Sequence, residues 1–548
     1  MTIMQKALLF IATLGNALTI SWVGLSPSTL SFSFFALTLL YTLVGVHDVF
    51  LSKHTLNRLY PVVAYIRYFL ESFRAEIQQY FIASNTEELP FNREQRSLVY
   101  QRAKNERDTI AFGTQRNLLE DNYLSLWQSL HVKEVKAENQ RVIFGGDDCT
   151  QPYSAAYLNI SAMSFGALSP NAIEALNLGA KIGHFAHNTG EGGVSPYHLK
   201  HGGDLIWQIG SGLFGCRTVG GEFDASMFKQ TATLANIKMI EIKLSQGAKP
   251  GHGGVLPKSK INAEIASIRG VALNEDCISP ANHPMASNPK ALLGFIQQLR
   301  TLSEGKPVGF KLCVGNPAEF LSICKAMLET NILPDFITID GAEGGTGAAP
   351  VEFSNRLGMT CLEAVYLVNS ALIGCGLRDK IRLIAAGKTA SSFDLLSKLA
   401  AGADTVNAAR TMMMALGCIQ SRSCNTNHCP TGVATQDPAR GRALDVKKKS
   451  QRVANFQRNT LHNFYELVGS MGLDDPKALT PNMLKRRTPN ALSISMGAIV
   501  PLLKENALVN SQTIDEPWKN WWNSASSEEY YVPDTHVLGA PELALRVV

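Results

Sequence analysis

The sequence predicts an α/β protein centred on a (β/α)8 TIM barrel, with an N-terminal transmembrane helical hairpin and helical flanking segments. Three observations carry that expectation. Forty consecutive residues, 7–46, hold no charged side chain. From about Ala155 to Asn407, short β-branched runs alternate with helical patterns, which implies a parallel sheet. So many such units favour a closed barrel over an open sheet. The bulk composition agrees, because 45% hydrophobic and 18% charged residues in a chain of 548 describe a folded protein rather than a disordered polyelectrolyte. The net charge of +5 is spread along the chain and gives no case for nucleic-acid binding. Ten scattered cysteines are too few for a disulfide scaffold.

The first element, residues 1–50, is the hairpin. Pro27, within LSPS, divides the uncharged run into Ala7–Gly24 and Thr29–Val46. At about 1.5 Å per residue each segment can just cross a bilayer core of roughly 30 Å. The short neutral loop leaves both ends on one side. Lys53, Arg58, Arg67 and Arg74 come immediately after, and the positive-inside rule then places the rest of the chain in the cytoplasm. A buried hydrophobic hairpin and a signal peptide are the alternatives; Lys6 and TLGNALT make only a poor version of the latter.

Residues 51–140 read as a helical collar, with RYFLESFRAEIQQYF and LLEDNYLSLWQSL at helical spacing and SNTEELPFNREQRSL as a polar turn between them. Residues 141–455 read as the barrel: YLNISAMS then PNAIEALNLGAKIG, IKMIEIKLS, VGFKLCVG then PAEFLSICKAML, DFITIDG, IRLIAAG then SSFDLLSKLAAG, and DTVNAAR. Residues 456–548 read as a helical segment and an irregular tail containing EPWKNWWNSASSEEYYVP.

In such barrels chemistry sits where strands end and loops begin. Three constellations lie at or near those points. Cys418-x5-Cys424-x4-Cys429-Pro430 can bring three soft thiolates to one centre. Three ligands fit an iron–sulfur cluster; zinc, with His428 as a fourth ligand, and buried unligated thiols are the alternatives. The strand ends IDGAEGGTGA, AAGK and NAAR place glycines beside Lys388 and Arg410, a pattern suited to the phosphate of flavin mononucleotide. In EIKLSQGAKPGHGG, Lys243 should point into the barrel mouth, where a cation stabilises charge on a reduced flavin. Gln246 and Lys249, with Arg269, suit a dicarboxylate. Gly210-Ser211-Gly212-Leu213-Phe214-Gly215 matches a dinucleotide fingerprint but is followed by CRTVGGEFD rather than a helix, so it is discounted.

AMSFGALS, HNTGEGG, KLSQGAKPGHGG, GAEGGTGAAP and the cysteine loop, in this order over about residues 155–475, resemble the flavin-containing synthase domain of glutamate synthase. The wider chain is similar to stand-alone, membrane-anchored members of that group. The resemblance implies an FMN- and iron–sulfur-dependent oxidoreductase that reduces 2-iminoglutarate, from 2-oxoglutarate and ammonia, to L-glutamate. It implies FMN at the barrel mouth and a [3Fe-4S] cluster on Cys418, Cys424 and Cys429. By motif position, Met163, Ser164 and Gln208 touch the isoalloxazine, with Lys243 and Lys311 at its polar edge. Gly387, Lys388, Ala409 and Arg410 hold the phosphate, and Gln246, Lys249 and Arg269 bind 2-oxoglutarate. Glu191 and Lys243 are the catalytic candidates, Glu191 at the end of the ammonia route. The expected partners are free ammonia or a glutaminase, and a ferredoxin or separate reductase, because neither an amidotransferase nor a pyridine-nucleotide domain is recognisable. Trp207, His252, Val255 and AAGKTA depart from the family pattern and bear on the substrate. A related amine-transferring synthase, such as an N-methylglutamate synthase subunit, and a non-catalytic electron-transfer or scaffold subunit are the alternatives.

Overall fold

Eight short buried strands close into a parallel barrel in the computed structural model, which describes residues 1–106, 108–136, 140–489, 492–510, 514 and 516–530. They are β1 (Leu158–Ile160), β2 (His187–Asn188), β3 (Leu205–Ile209), β4 (Ile237–Lys243), β5 (Val308–Leu312), β6 (Phe336–Asp340), β7 (Arg382–Ala386) and β8 (Thr405–Ala408). Each pairs with its successor, and β8 returns to β1 with Val406 opposite Leu158 and Asn407 opposite Asn159. The expected fold class is therefore the observed one. The strands are apolar runs without strict alternation because helices cover the outside of the barrel while its own side chains fill the inside. Helices Pro170–Gly183 and Pro317–Thr330 start where the sequence dictates, with proline in the first turn behind a side-chain cap from Ser169 or Asn316.

The barrel belongs to the compact unit Pro90–Val548. Its flanks differ from the expected pattern in two places. The stretch read as a polar turn forms helix Arg93–Lys104, opened by a capping box between Asn92 and Gln95 and closed by left-handed Asn105. LLEDNYLSLWQSL is not helical: Asn122 sits at φ 65°, and Leu124–Leu126 pairs antiparallel with Leu484–Arg487. Leu124 and Leu126 share one strand face and pack on the core, a gain that outweighs helix propensity.

Helix Val446–Ser470 runs across the boundary expected at residue 455. It docks on the barrel's first helix, where a Cβ on Gly179 would stand 2.8 Å from Val453. It also holds the Arg93–Lys104 helix, as Asn455 Nδ2 donates to the Ala103 carbonyl at 3.2 Å and Asn459 Nδ2 to that of Arg102 at 2.9 Å. The tail is anchored through Lys325, whose Nζ donates to the Ala525 carbonyl at 2.8 Å and lies over the Trp522 ring at 4.9 Å. Residues 531–548 of the expected tail lie outside the described residues.

The other unit, Met1–Leu89, contains the expected hairpin: α1 (Ile3–Leu25) and α2 (Thr29–Val46), the latter continued by a π-helical turn to Leu51. Both helices are long and apolar enough to cross a membrane. Their polarity is inverted relative to a water-soluble pair. Between them Asn16 Nδ2 donates to Thr42 Oγ1 at 2.6 Å, the Thr19 and Thr38 hydroxyls meet at 3.0 Å, and Gly45 admits Leu8. Phe10, Leu14, Leu18, Phe32, Leu37 and Leu40 face outward. Small and hydroxyl residues inside with apolar ones outside is the packing that lipid favours.

Candidate active site at the barrel mouth

The C-terminal ends of all eight strands converge on two adjoining cavities, one smaller than the other. The smaller is lined by Ser164 after β1, Glu191 after β2, Gln208 of β3, Lys243 and Gln246 of β4 and its loop, Lys311 of β5, Asp340 and Gly345 of β6 and its loop, Gly387 after β7, and Asn407, Ala409 and Arg410 of β8 and beyond. Met163, Lys249 and Arg269 line the larger, which shares Ser164, Glu191, Gln246 and Arg410 with the smaller. Lys388 stands outside both linings.

The floor is polar and fully connected. On β4, Glu241 and Lys243 point the same way, two residues apart. Glu241 is completely buried and accepts from Asn188 Nδ2 at 2.8 Å, Gln208 Nε2 at 2.7 Å and Thr338 Oγ1 at 2.5 Å. Both amides turn nitrogen toward it. Gln208 is left with its oxygen free for a ligand. Asn188 Oδ1 in turn accepts from the Gly190 N–H at 3.0 Å, which fixes the loop carrying Glu191. Burial pushes the Lys311 ammonium down, but Asp340 at 3.2 Å and Glu241 outweigh it and hold the pKa above the usual lysine value.

At the junction of the cavities, Lys243 Nζ donates to Glu191 Oε1 at 2.7 Å and to Gln246 Oε1 at 2.9 Å. Burial alone would raise the Glu191 carboxyl, yet Lys243, Arg269 and Lys249 together hold it below its ordinary range. Gly210 and Gly254 are required here, since a Cβ on either would come within 2.5 Å of a Glu191 carboxylate oxygen. Lys249 is 1% exposed, and among the described residues no hydrogen bond or ion pair reaches its Nζ. Burial, aided by like charge on Lys243, pushes its pKa down to about 8. Arg269 lies over the Phe214 ring at 5.2 Å and donates from Nη2 to the Phe165 carbonyl at 3.0 Å, leaving Nε without a partner.

At the opposite pole of the smaller cavity, Arg410 donates through Nη2 to the Glu343 carbonyl. A Cβ on Gly345 would stand 2.6 Å from Arg410 Cδ, so a larger residue would displace that guanidinium. The short helix starting at Arg410 has Ala409 at its N-cap and no side-chain cap. Buried Asn407 Oδ1, Thr411 Oγ1 and Gln246 Nε2 all border the cavity without a hydrogen-bond partner among the described residues. Unpartnered donors and acceptors beside a cationic, glycine-lined pole fit a planar, hydrogen-bonding, anionic group such as FMN. Phe91 underlies this pole: the Lys388 ammonium lies 5.3 Å and the Arg410 guanidinium 5.0 Å from its ring centroid.

Cys418, Cys424 and Cys429 all line the larger cavity as free thiols. Among the described residues no group of three or more His, Cys, Asp or Glu side chains is gathered as a metal site. Gln420, Arg422 and Asn427 adopt left-handed conformations, which explains why the loop is no helix. Burial pushes Cys418 up to about 11 and raises Cys424. Burial also acts on Cys429, but the Thr431 hydroxyl and the amides of Ala434, Thr431 and Val433 hold its pKa below the usual thiol value. Three thiols on one cavity are a donor set that fits an iron–sulfur cluster. The loop is tied to Phe91 twice, since Gln420 Oε1 accepts from the Phe91 N–H at 3.1 Å and Gln420 Nε2 donates to its carbonyl at 2.9 Å.

Of the departing residues, Val255 lines the larger cavity, whereas Trp207 and His252 line neither of the two. Trp207 alternates outward on β3 and stacks on Phe228 at 5.1 Å, and the His252 ring packs edge-on to Phe353 at 5.5 Å. The discounted segment Gly210–Gly215 is a turn followed by no helix. Sequence reasoning misses Phe91, Glu241, Asn188, Thr338 and Thr411. A carboxylate two residues before Lys243 in an otherwise apolar strand is the one available signal, for Glu241.

Residues 91–474 match the model of the conserved region in glutamate synthase. The chain is 35% identical over 477 residues to the glutamate synthase large subunit-like protein YerD of Bacillus subtilis (strain 168), covering 80% of this chain and 90% of that one. It is 35% identical over 324 residues to the archaeal glutamate synthase (NADPH) of Methanocaldococcus jannaschii, covering 59% of this chain and spanning 60% of that relative's length. Among solved structures, an oxidized active mutant of (S)-mandelate dehydrogenase is similar at 11% identity and a TM-score of 0.42, covering 72% of this chain and 98% of that one.

Proposed function

Because the chain belongs to the glutamate synthase family, we propose that it is a membrane-anchored oxidoreductase that reduces 2-iminoglutarate, formed from 2-oxoglutarate and ammonia, to L-glutamate. The observation that carries this reading is the buried Glu191–Lys243 pair at the junction of the two cavities, with Lys249 and Arg269 in the adjoining wall. When bound, FMN and an iron–sulfur cluster supply two-electron hydride delivery and single-electron relay. Met163, Ser164 and Gln208 would border the flavin ring, Lys243 and Lys311 its polar edge, and Gly387, Ala409 and Arg410 its phosphate, with Lys388, off the cavity wall over the Phe91 ring, adding its charge. Cys418, Cys424 and Cys429 would hold a 3Fe-4S cluster.

The protein's own work is binding and proton handling. Lys249 and Arg269 present positive charge to the two carboxylates, and Gln246 bridges them to Lys243. Glu191, kept ionised by three cations, offers a carboxylate that can hold the incoming ammonium in place, and Lys243 at 2.7 Å can donate a proton to the product nitrogen. Nitrogen comes from free ammonia or a glutaminase partner, and electrons from a ferredoxin or a separate reductase. The hairpin's outward apolar faces support membrane insertion, and Lys53, Arg58, Arg67 and Arg74 support a cytoplasmic catalytic domain.

Purified full-length protein given 2-oxoglutarate, ammonium and reduced ferredoxin should produce L-glutamate. Lys249→Met and Arg269→Met should lose product while keeping flavin absorbance. Turnover with methylamine but not ammonium would replace this reaction with that of an amine-transferring synthase. Retention of both cofactors without turnover of either amine would point to an electron-transfer subunit.

A further inference from the structure

The segment after the hairpin exposes more apolar surface than a water-facing collar tolerates. Ile66, Phe69, Leu70, Phe73, Phe81 and Ile82 are all exposed, Phe81 at 85%. They lie on the short helix Ala64–Ser72, at Phe73 just after it, and on the π-turn Gln78–Ile82. Interspersed basic residues outnumber acidic ones: Lys53, Arg58, Arg67 and Arg74 against Glu71 and Glu76. A contiguous apolar patch with a cationic rim marks a binding surface.

The foot of the hairpin identifies what covers it. Gln5, at the start of α1, donates through Nε2 to the Arg58 carbonyl at 2.7 Å. Asp48, just past the end of α2 and completely buried, accepts from the Val62 N–H at 2.9 Å and the Tyr65 hydroxyl at 2.8 Å. Residues 58–65 are thereby fixed to both open ends of the hairpin, at the level where the two helices leave their apolar span. Tyr60, Tyr65, Tyr68 and Tyr80 add amphipathic rings of the kind enriched at membrane–water boundaries. A second copy would need acidic surface to match the basic rim, and of the two acidic residues in 53–82 Glu71 is already paired with Arg67 at 2.8 Å, which leaves Glu76 against four basic residues.

We propose that residues 55–82 form an interfacial platform, buried along its apolar face in the headgroup–acyl boundary of the leaflet where both hairpin ends emerge. The proposal rests on the membrane reading of the hairpin. Amphipathic helices with aromatic and aliphatic residues on one face and Arg or Lys on the other bind lipid in this way. The platform has a geometric effect: it lies along the bilayer surface instead of standing off it, and so limits how far the hairpin can tilt in the membrane.

The test uses full-length protein in liposomes of phosphatidylcholine and phosphatidylglycerol, with a tryptophan added at Leu14→Trp or Phe69→Trp and the wild-type emission subtracted. Lipids brominated near the chain ends should quench the Leu14→Trp signal most. Lipids brominated next to the headgroup should remove most of the Phe69→Trp signal. If Leu14→Trp is quenched but Phe69→Trp is not, the platform is wrong and the anchor stands. Red-shifted emission would then mean that the face meets water, and blue-shifted, concentration-dependent emission that a second copy covers it. If neither is quenched, the anchor itself fails.

Discussion

Replacing Lys249 separates electrostatic recognition of the substrate from flavin chemistry. Its ammonium is buried without a hydrogen bond or ion pair among the described residues, and its pKa is pushed down to about 8. Below that pH it is charged and ready for a carboxylate; above it the neutral amine offers only an ordinary hydrogen bond. A hydrogen bond to a charged group contributes about 1.5–3 kcal/mol, so Lys249→Met should raise KM for 2-oxoglutarate roughly ten- to a hundredfold. In the wild-type protein KM should be flat to about pH 8 and then rise by up to tenfold per pH unit, until the contribution of the charge is exhausted. A bound dicarboxylate raises the Lys249 pKa, so kcat should lose activity at a higher pH than kcat/KM. The assay is steady-state glutamate formation from about pH 6.5 to 10, with the visible flavin spectrum recorded for each variant. If the alkaline limb persists in Lys249→Met, another group titrates and the assignment of Lys249 to the substrate is refuted.

Four further outcomes are expected from the geometry. Gly345→Val places a side chain against Arg410 and should weaken FMN retention at least about tenfold, measured as flavin content after gel filtration, while the fold survives. Cys418→Ser, Cys424→Ser or Cys429→Ser should each lower iron and acid-labile sulfide and leave flavin in place; unchanged iron would remove these thiols from the ligand set. His187 is completely buried, has no partner on either ring nitrogen and is held neutral, with its pKa pushed down to about 3. Its folded pKa lies below the unfolded value, so the unfolded chain gains protons first as pH falls through about 6.5. His187 should then contribute a drop of about 1.4 kcal/mol per pH unit, roughly 2 kcal/mol by pH 5, and His187→Gln should remove that share from thermal unfolding against pH while buried His198 and His283, also held low, keep theirs. Phe91→Ala should cost about 3–5 kcal/mol of stability, read by thermal unfolding, because a fully buried ring is lost from beneath two cations.

The parts of this architecture legible in the sequence are those with a short-range signature. Lys243, Lys311 and Asp340 fall at or near the ends of apolar runs, and a charged residue at the end of a buried strand has little use except at a barrel mouth. The cysteine spacing and the glycine-rich ends read in the same way. Phe91 is hidden because its partners, Gln420, Lys388 and Arg410, are about three hundred residues away and nothing local marks ELPFN. Leu124–Leu126 reads as helix because a thirteen-residue apolar pattern suits helix or strand alike, and only the distant Leu484–Arg487 decides. Trp207 reads as a site residue until strand phase is fixed; with Gln208 bonded inward to Glu241, its neighbour must face the helices.

The double tie between Gln420 and Phe91 makes one short stretch of backbone the common keel of two compartments. The thiol loop hangs from its peptide groups, and the two cations of the opposite pole rest on its ring. A break in that keel itself, unlike a change at either compartment's far wall, should therefore loosen both compartments together.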